Sequence, residues 1–136
     1  MRRVSVASIA LAACLVASVA LAASDKIIAD FSSIQPAGVN VSGQVTLNSM
    51  PSGETLVHAS LRGLVPGTQY DSFVYTQGTT CASGTPTTQI VEFTANPSGI
   101  ANFTQKIPVG LSQIGSVSVQ RVSDNALLAC AAVAQQ

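Results

Sequence analysis

Apolar and polar residues alternate with a period of two over several short stretches: Val39-x-Val41-x-x-x-Val45-x-Leu47, Val57-x-Ala59-x-Leu61, Val91-x-Phe93-x-Ala95 and Val117-x-Val119. Alternation of this kind places every second side chain on the same face of a strand, so each stretch buries one face. All ten glycines, from Gly38 to Gly115, and six prolines interrupt the chain, so no segment between them runs as a long helix. Turn chemistry separates the stretches at Pro51-Ser52-Gly53, Val65-Pro66-Gly67, Asn96-Pro97-Ser98-Gly99 and Ser123-Asp124-Asn125. The pattern predicts strands near 27–33, 39–48, 55–62, 69–77, 89–95, 100–107, 115–122 and 127–134. Strands this short and this regularly spaced predict an all-β fold, an eight-stranded antiparallel Greek-key sandwich or flattened barrel. Gly78–Thr88, rich in Thr, Ser and Gly, is the longest polar connection.

The amino terminus follows a different rule. Eighteen of the first 23 residues are apolar, Arg2 and Arg3 are the only charges among them, and Ala20-Leu21-Ala22 forms an A-x-A cleavage pattern. Residues 1–23 read as a signal peptide, leaving 24–136 as a single β-sandwich domain that is secreted or periplasmic. Two alternatives are an uncleaved anchor, since about 20 uncharged residues can span a bilayer, and lipid attachment through Cys14 in Leu11-Ala12-Ala13-Cys14. Composition then changes meaning. The whole chain is 47% apolar and 9% charged, but without the first 23 residues the apolar share falls to about 41%, ordinary for a globular domain. Lys26, Arg62, Lys106 and Arg121 face six acids, a net charge of about −2. With no basic cluster, the chain carries no electrostatic footprint for nucleic acid or anionic lipid, and no membrane span is expected after cleavage.

Export leaves Cys81 and Cys130 as the only two thiols, and in an oxidising compartment their natural pairing is one disulfide. It closes 49 residues and is worth about 4 kcal/mol on the chain-entropy estimate. Through Cys81 it pins the polar Gly78–Thr88 loop to the final strand.

Three segments resemble the copper/zinc superoxide dismutase family. The first runs from Val41-Ser42-Gly43-Gln44-Val45-Thr46-Leu47 through Ser60-Leu61-Arg62-Gly63-Leu64-Val65-Pro66-Gly67 to Cys81; the second is Ala95-Asn96-Pro97-Ser98-Gly99-Ile100-Ala101-Asn102-Phe103; the third is Leu127-Leu128-Ala129-Cys130-Ala131-Ala132-Val133. Their order covers most of 41–134. The resemblance implies a Greek-key scaffold in which Cys81 and Cys130 match the family's intrasubunit disulfide. Gly63–Tyr70 also looks like the leu-x-pro-gly-thr-x-tyr corner of fibronectin type III domains, an immunoglobulin-like sandwich that carries a tryptophan absent from this chain.

The departures concern chemistry. Where the family places two copper-binding histidines after the Pro-Gly turn, this chain has Phe73 and Tyr75. Where it inserts a long loop with bridging and zinc-binding ligands, only Ala82–Thr94 is present, without histidine. In place of a charged loop ending in a guiding arginine stands a tight turn, with Arg121 before it. His58 is the chain's single histidine and is out of step with the apolar set, which predicts a surface or rim position with at most a weak metal contact. No Gly-x-Ser-x-Gly elbow and no phosphate-binding glycine loop occur. Asp71, Glu92 and Asp124 read as isolated carboxylates. Asn40-Val41-Ser42 and Asn102-Phe103-Thr104 are glycosylation sequons that matter only in a eukaryotic source.

The sequence therefore leads to an exported, non-enzymatic superoxide dismutase-like scaffold acting as a structural or interaction module, with no catalytic, cofactor-binding or metal residues. Two alternatives remain. One is a reduced copper-binding relative of the dismutases. The other is a small-ligand or carbohydrate-binding sandwich using Tyr70, Tyr75 and the Gly78–Thr88 loop. The partner is a protein or small ligand that the sequence does not name, and an edge strand offers a route to a homodimer.

Overall fold

The computed structural model describes residues 25–34 and 40–133. The expected signal peptide, Cys14, Val39 and Ala134 lie outside these residues. Eight strands form: β1 (Lys26–Ser33), β2 (Ser42–Ser49), β3 (Thr55–Arg62), β4 (Gln69–Thr76), β5 (Thr88–Thr94), β6 (Ala101–Ile107), β7 (Ile114–Arg121) and β8 (Leu127–Ala132), with one 3-10 turn at Leu111–Gln113. Every described pairing is antiparallel, in the order β5-β4-β7-β8-β1-β2-β3-β6. The chain runs through β4, β5 and β6 and then brings β7 back beside β4, which is Greek-key wiring. The fold class matches the expectation, a nearly closed, barrel-like antiparallel sheet with one disulfide.

The strand limits agree with the sequence pattern to within a residue except at the end of β8, which stops at Ala132, and at the start of β2. The rungs between β1 and β2 end at Phe31–Gly43, and Ser32 pairs with Cys130 of β8 instead. Val41 is buried but lies before the first strand residue, because β1 has already turned away to close the barrel.

Between β5 and β6 the ladder gives way to side chains. The Asn96–Ile100 turn joins the two strands, with Asn96 Oδ1 accepting from the amides of Ser98 and Ile100 at 2.9 Å each. Phe93 stacks on Tyr70 at 5.7 Å and meets Phe103 at 5.1 Å between ring centroids, so aromatic rings bridge the seam.

The interior is supplied by the alternating positions. Val45, Leu47, Val57, Leu61, Tyr70, Val74, Val117 and Val119 are fully or almost fully buried in one cluster. Each such side chain contributes roughly 1.5–3 kcal/mol by leaving water. Two interior hydroxyls find backbone partners, Thr55 Oγ1 donating to Val109 O at 2.7 Å and Ser72 Oγ to Ser118 O at 2.8 Å, so their burial leaves neither of them unpaired.

Candidate functional site

On β4 the residues between the interior positions are Asp71, Phe73 and Tyr75, which point outward. The register sets Tyr75 opposite Ser116 and Phe73 opposite Ser118 of β7, and sets these serines opposite Ala132 and Cys130 of β8. A hairpin between β4 and β5 needs only two to five residues. Here residues 77–87 travel across β7 to reach β8, where Cys81 is bonded to Cys130 (S–S 2.07 Å, Cα–Cα 5.8 Å). The result is a strap over the outer face of β4, β7 and β8.

The strap encloses polar groups. Tyr75 is 2% exposed, and its hydroxyl accepts a hydrogen bond from Gln120 Nε2 at 3.1 Å. Ser116 and Ser118 have no exposed surface. Ser116 Oγ reaches Thr79 O at 3.4 Å, while Ser118 Oγ is buried without a hydrogen-bond partner. The strap's own residues Ala82, Ser83, Thr85, Pro86 and Thr87 are exposed or partly so, and Cys81 is its one buried residue.

This is the face on which the dismutase resemblance implies copper ligands, and the residues do not fit a copper or zinc ion. A phenyl ring, a hydrogen-bonded phenol and two hydroxyls offer neither imidazole nor thiolate. His58 projects from the outer face of β3 in the other half of the barrel, with Nδ1 2.8 Å from Thr104 Oγ1. Among the described residues no three of His, Cys, Asp and Glu gather where they could hold a metal ion.

Arg121 is held at the end of β7 by a fork, with Nε donating to Asp124 Oδ1 at 2.9 Å and Nη2 to Oδ2 at 2.7 Å. Asp124 also accepts from the Ala126 amide at 3.2 Å. The hydrogen bond from Arg121, aided by that amide, lowers the Asp124 pKa to about 2, and the same bond raises the arginine's. Asn125, with φ of 56°, makes the tight turn that supports this arrangement. The arginine is committed to its turn rather than left facing an anion.

Two carboxylates that read as isolated in sequence prove to be neighbours. Asp71 and Glu92 face each other directly across the β4–β5 ladder, capped by the side-chain amides of Gln89 and Gln69 respectively. They lie side by side on one outer flank, each carboxylate held by its own glutamine amide. Register alone could have revealed the pair. Ser116 and Ser118 escape sequence reasoning because serine in an alternating strand ordinarily marks the solvent side.

Tyr70 and Tyr75 do not form a joint aromatic platform. Tyr70 lies inside the barrel with no exposed surface and accepts a hydrogen bond from the Val65 amide at 2.9 Å, whereas Tyr75 is outside the sheet and beneath the strap. A shallow cleft of about 450 Å³ opens instead where β1 parts from β2, lined by Asp30, Phe31, Ser42, Gly43, Gln44, Ser60 and Arg62. Both sequon asparagines, Asn40 and Asn102, are exposed. No helix among the described residues is long and apolar enough to cross a membrane. No protein-family model and no curated protein matches the chain.

Proposed function

We propose that the chain is an exported, non-enzymatic domain that keeps a superoxide dismutase-like scaffold as a structural or interaction module. The observation that carries this reading is the covered face of β4 and β7. Phe73, Tyr75, Ser116 and Ser118 occupy it, Gln120 satisfies the phenol, and the strap closes over it. A metal-dependent dismutase needs several imidazoles converging on an ion, and this face is filled instead by packed rings and hydroxyls. The disulfide and the Greek-key wiring support the scaffold half of the reading.

The test is metal content and dismutase activity of the purified, exported protein after loading with copper and zinc. The expected result is less than about 0.1 equivalent of either metal after desalting, reflecting the missing ligand set, and no superoxide dismutation. One equivalent of tightly bound copper with dismutation would overturn the reading and restore the reduced dismutase as the better one.

The Asp30–Arg62 cleft favours a second reading, a small polar ligand. It combines a carboxylate, a guanidinium, an amide and two hydroxyls on an open strand surface, groups suited to sugar hydroxyls or an acidic sugar. Titration with glucose, galactose and glucuronate, followed by NMR, is expected to move Gln44, Ser60 and Arg62 together if this reading holds. Absence of shifts up to tens of millimolar sugar removes it.

A further inference from the structure

The strap has little reason to stay closed apart from its covalent bond. Its one buried side chain is the bonded Cys81 itself, and the apolar surface it covers centres on a single ring, that of Tyr75. Beneath it lie the Tyr75 ring and hydroxyls rather than aliphatic groups, and covering Ser118 Oγ without a partner costs free energy. Its hydrogen bonds to the barrel gather mostly at its two ends: the Gln77 amide donates to Gln113 O at 2.7 Å, Thr87 donates through both its amide (2.9 Å) and its hydroxyl (3.0 Å) to Val74 O near the junction with β5, and between them Ser116 Oγ reaches Thr79 O at 3.4 Å. Gly84 settles on the ring of Tyr75, where a Cβ would come within 3.0 Å of Cδ1. The interior on the other side of β4 and β7 is independent of all this, because Tyr70, Val74, Val117 and Val119 are packed within the barrel.

We propose that the Cys81–Cys130 disulfide is a redox latch. Its reduction releases the 77–87 strap and uncovers a polar strip of Tyr75, Ser116 and Ser118 while the barrel stays folded. The reaction is thiol–disulfide exchange with a dithiol reductant. A thiolate of the reductant attacks one sulfur and displaces the other. The second thiol of the reductant then resolves the mixed disulfide, so two electrons and two protons pass to Cys81 and Cys130 and the reductant leaves as a disulfide. The uncovered strip adds a surface of phenol and hydroxyl groups to the interaction module, and the oxidised protein hides it.

The two tyrosines provide the test, because they are the only ones in the chain and lie on opposite sides of the same strand. The full exported protein is treated with tetranitromethane before and after reduction by dithiothreitol, and nitration is located by peptide mass spectrometry. The expected result is that neither tyrosine reacts in the oxidised protein, whereas after reduction Tyr75 reacts at least tenfold faster and Tyr70 stays protected. Hydrogen exchange is expected to rise at the Gly84 amide, which donates to Thr80 O, and to stay unchanged at the Leu64 and Ala95 amides. Simultaneous nitration of both tyrosines would mean that reduction unfolds the barrel and would overturn the latch. Protection of both would mean that the strap holds without the disulfide, which overturns the latch equally. Gly84→Ala, with the disulfide intact, is expected to raise Tyr75 reactivity alone and so reports on the strap without any reductant.

Discussion

The barrel has two outer faces with opposite fates. Across β1, β2, β3 and β6 the outward rows Ile28–Thr46–His58–Thr104 and Asp30–Gln44–Ser60–Asn102 meet solvent. Across β4, β7 and β8 the outward positions Tyr75, Ser116 and Ser118 are buried beneath the strap. Serine sits on both faces, exposed as Ser60 and enclosed as Ser118. Burial is thus assigned to the second face by a connection that departs from its hairpin and is bonded to β8, rather than by the hydrophobicity of the strand residues. A face covered in this way tolerates a polar lining that a core could not, and that difference is what several substitutions would probe.

The largest effect separates inside from outside. Leu47 is fully buried on β2 and Ile28 is 52% exposed on β1. Leu47→Ala is expected to cost about 2–5 kcal/mol of unfolding free energy, and Ile28→Ala to stay within about 0.5 kcal/mol, both measured by denaturant titration. Equal costs would mean that the open face is covered in solution. Next comes Gly115, which forms the bulge where β7 pairs with the end of β4; a Cβ there meets Thr76 O at 2.3 Å. Gly115→Ala is expected to cost about 1–3 kcal/mol and to disturb the adjoining Tyr75 side of the strap. Ser118→Ala has the opposite sign. Removing a hydroxyl that is buried without a partner is expected to stabilise the protein by about 1 kcal/mol, whereas the same change at exposed Ser60 is expected to be close to neutral. Destabilisation by Ser118→Ala would show that the hydroxyl has a partner in solution.

These contrasts also mark what the sequence could convey. Alternation at Val45, Leu47, Val57, Val117 and Val119 located the strands and their inner face, because a period of two assigns sides without knowledge of the partners. The disulfide followed from Cys81 and Cys130 being the only two cysteines outside the apolar first 23 residues. Register and the path of the strap did not follow. Whether Ser116 and Ser118 face water depends on where residues 77–87 go, and a polar connection carries no periodic signal for its direction. The same gap hid the Asp71–Glu92 pair, which is 21 residues apart in sequence and adjacent only through the β4–β5 ladder. The aromatic site expected at Tyr70 and Tyr75 fails for a parity reason: they are an odd number of positions apart on one strand, so the pleat sends them to opposite sides.

The smallest effect compares ion pairs belonging to the two halves. Lys106 and Glu54 beside β3 approach only to 3.7 Å through a single contact, whereas Arg121 and Asp124 at the end of β7 make a two-pronged bond. Asp124 is held at a pKa of about 2 by the arginine's hydrogen bonds and then by the Ala126 amide, below its ordinary value of 3.8. A carboxylate whose pKa is lower in the folded chain than in the unfolded one stabilises the fold above the unfolded value, and that contribution fades as protons return. The clamp is therefore fully in place above about pH 4 and is lost as the pH falls through about 2. A carbon-detected NMR titration is expected to give Asp124 a midpoint near 2, and Arg121→Ala to move it up toward 3.8 while the Ala126 amide retains part of the depression. Asp124→Asn is expected to flatten this part of the acid dependence of the denaturation midpoint. Because the pair is solvent-exposed, salt is expected to weaken the effect. A midpoint that stays near 2 in Arg121→Ala would assign the depression to the turn's backbone instead of the arginine, and the two ion pairs would then differ in geometry alone.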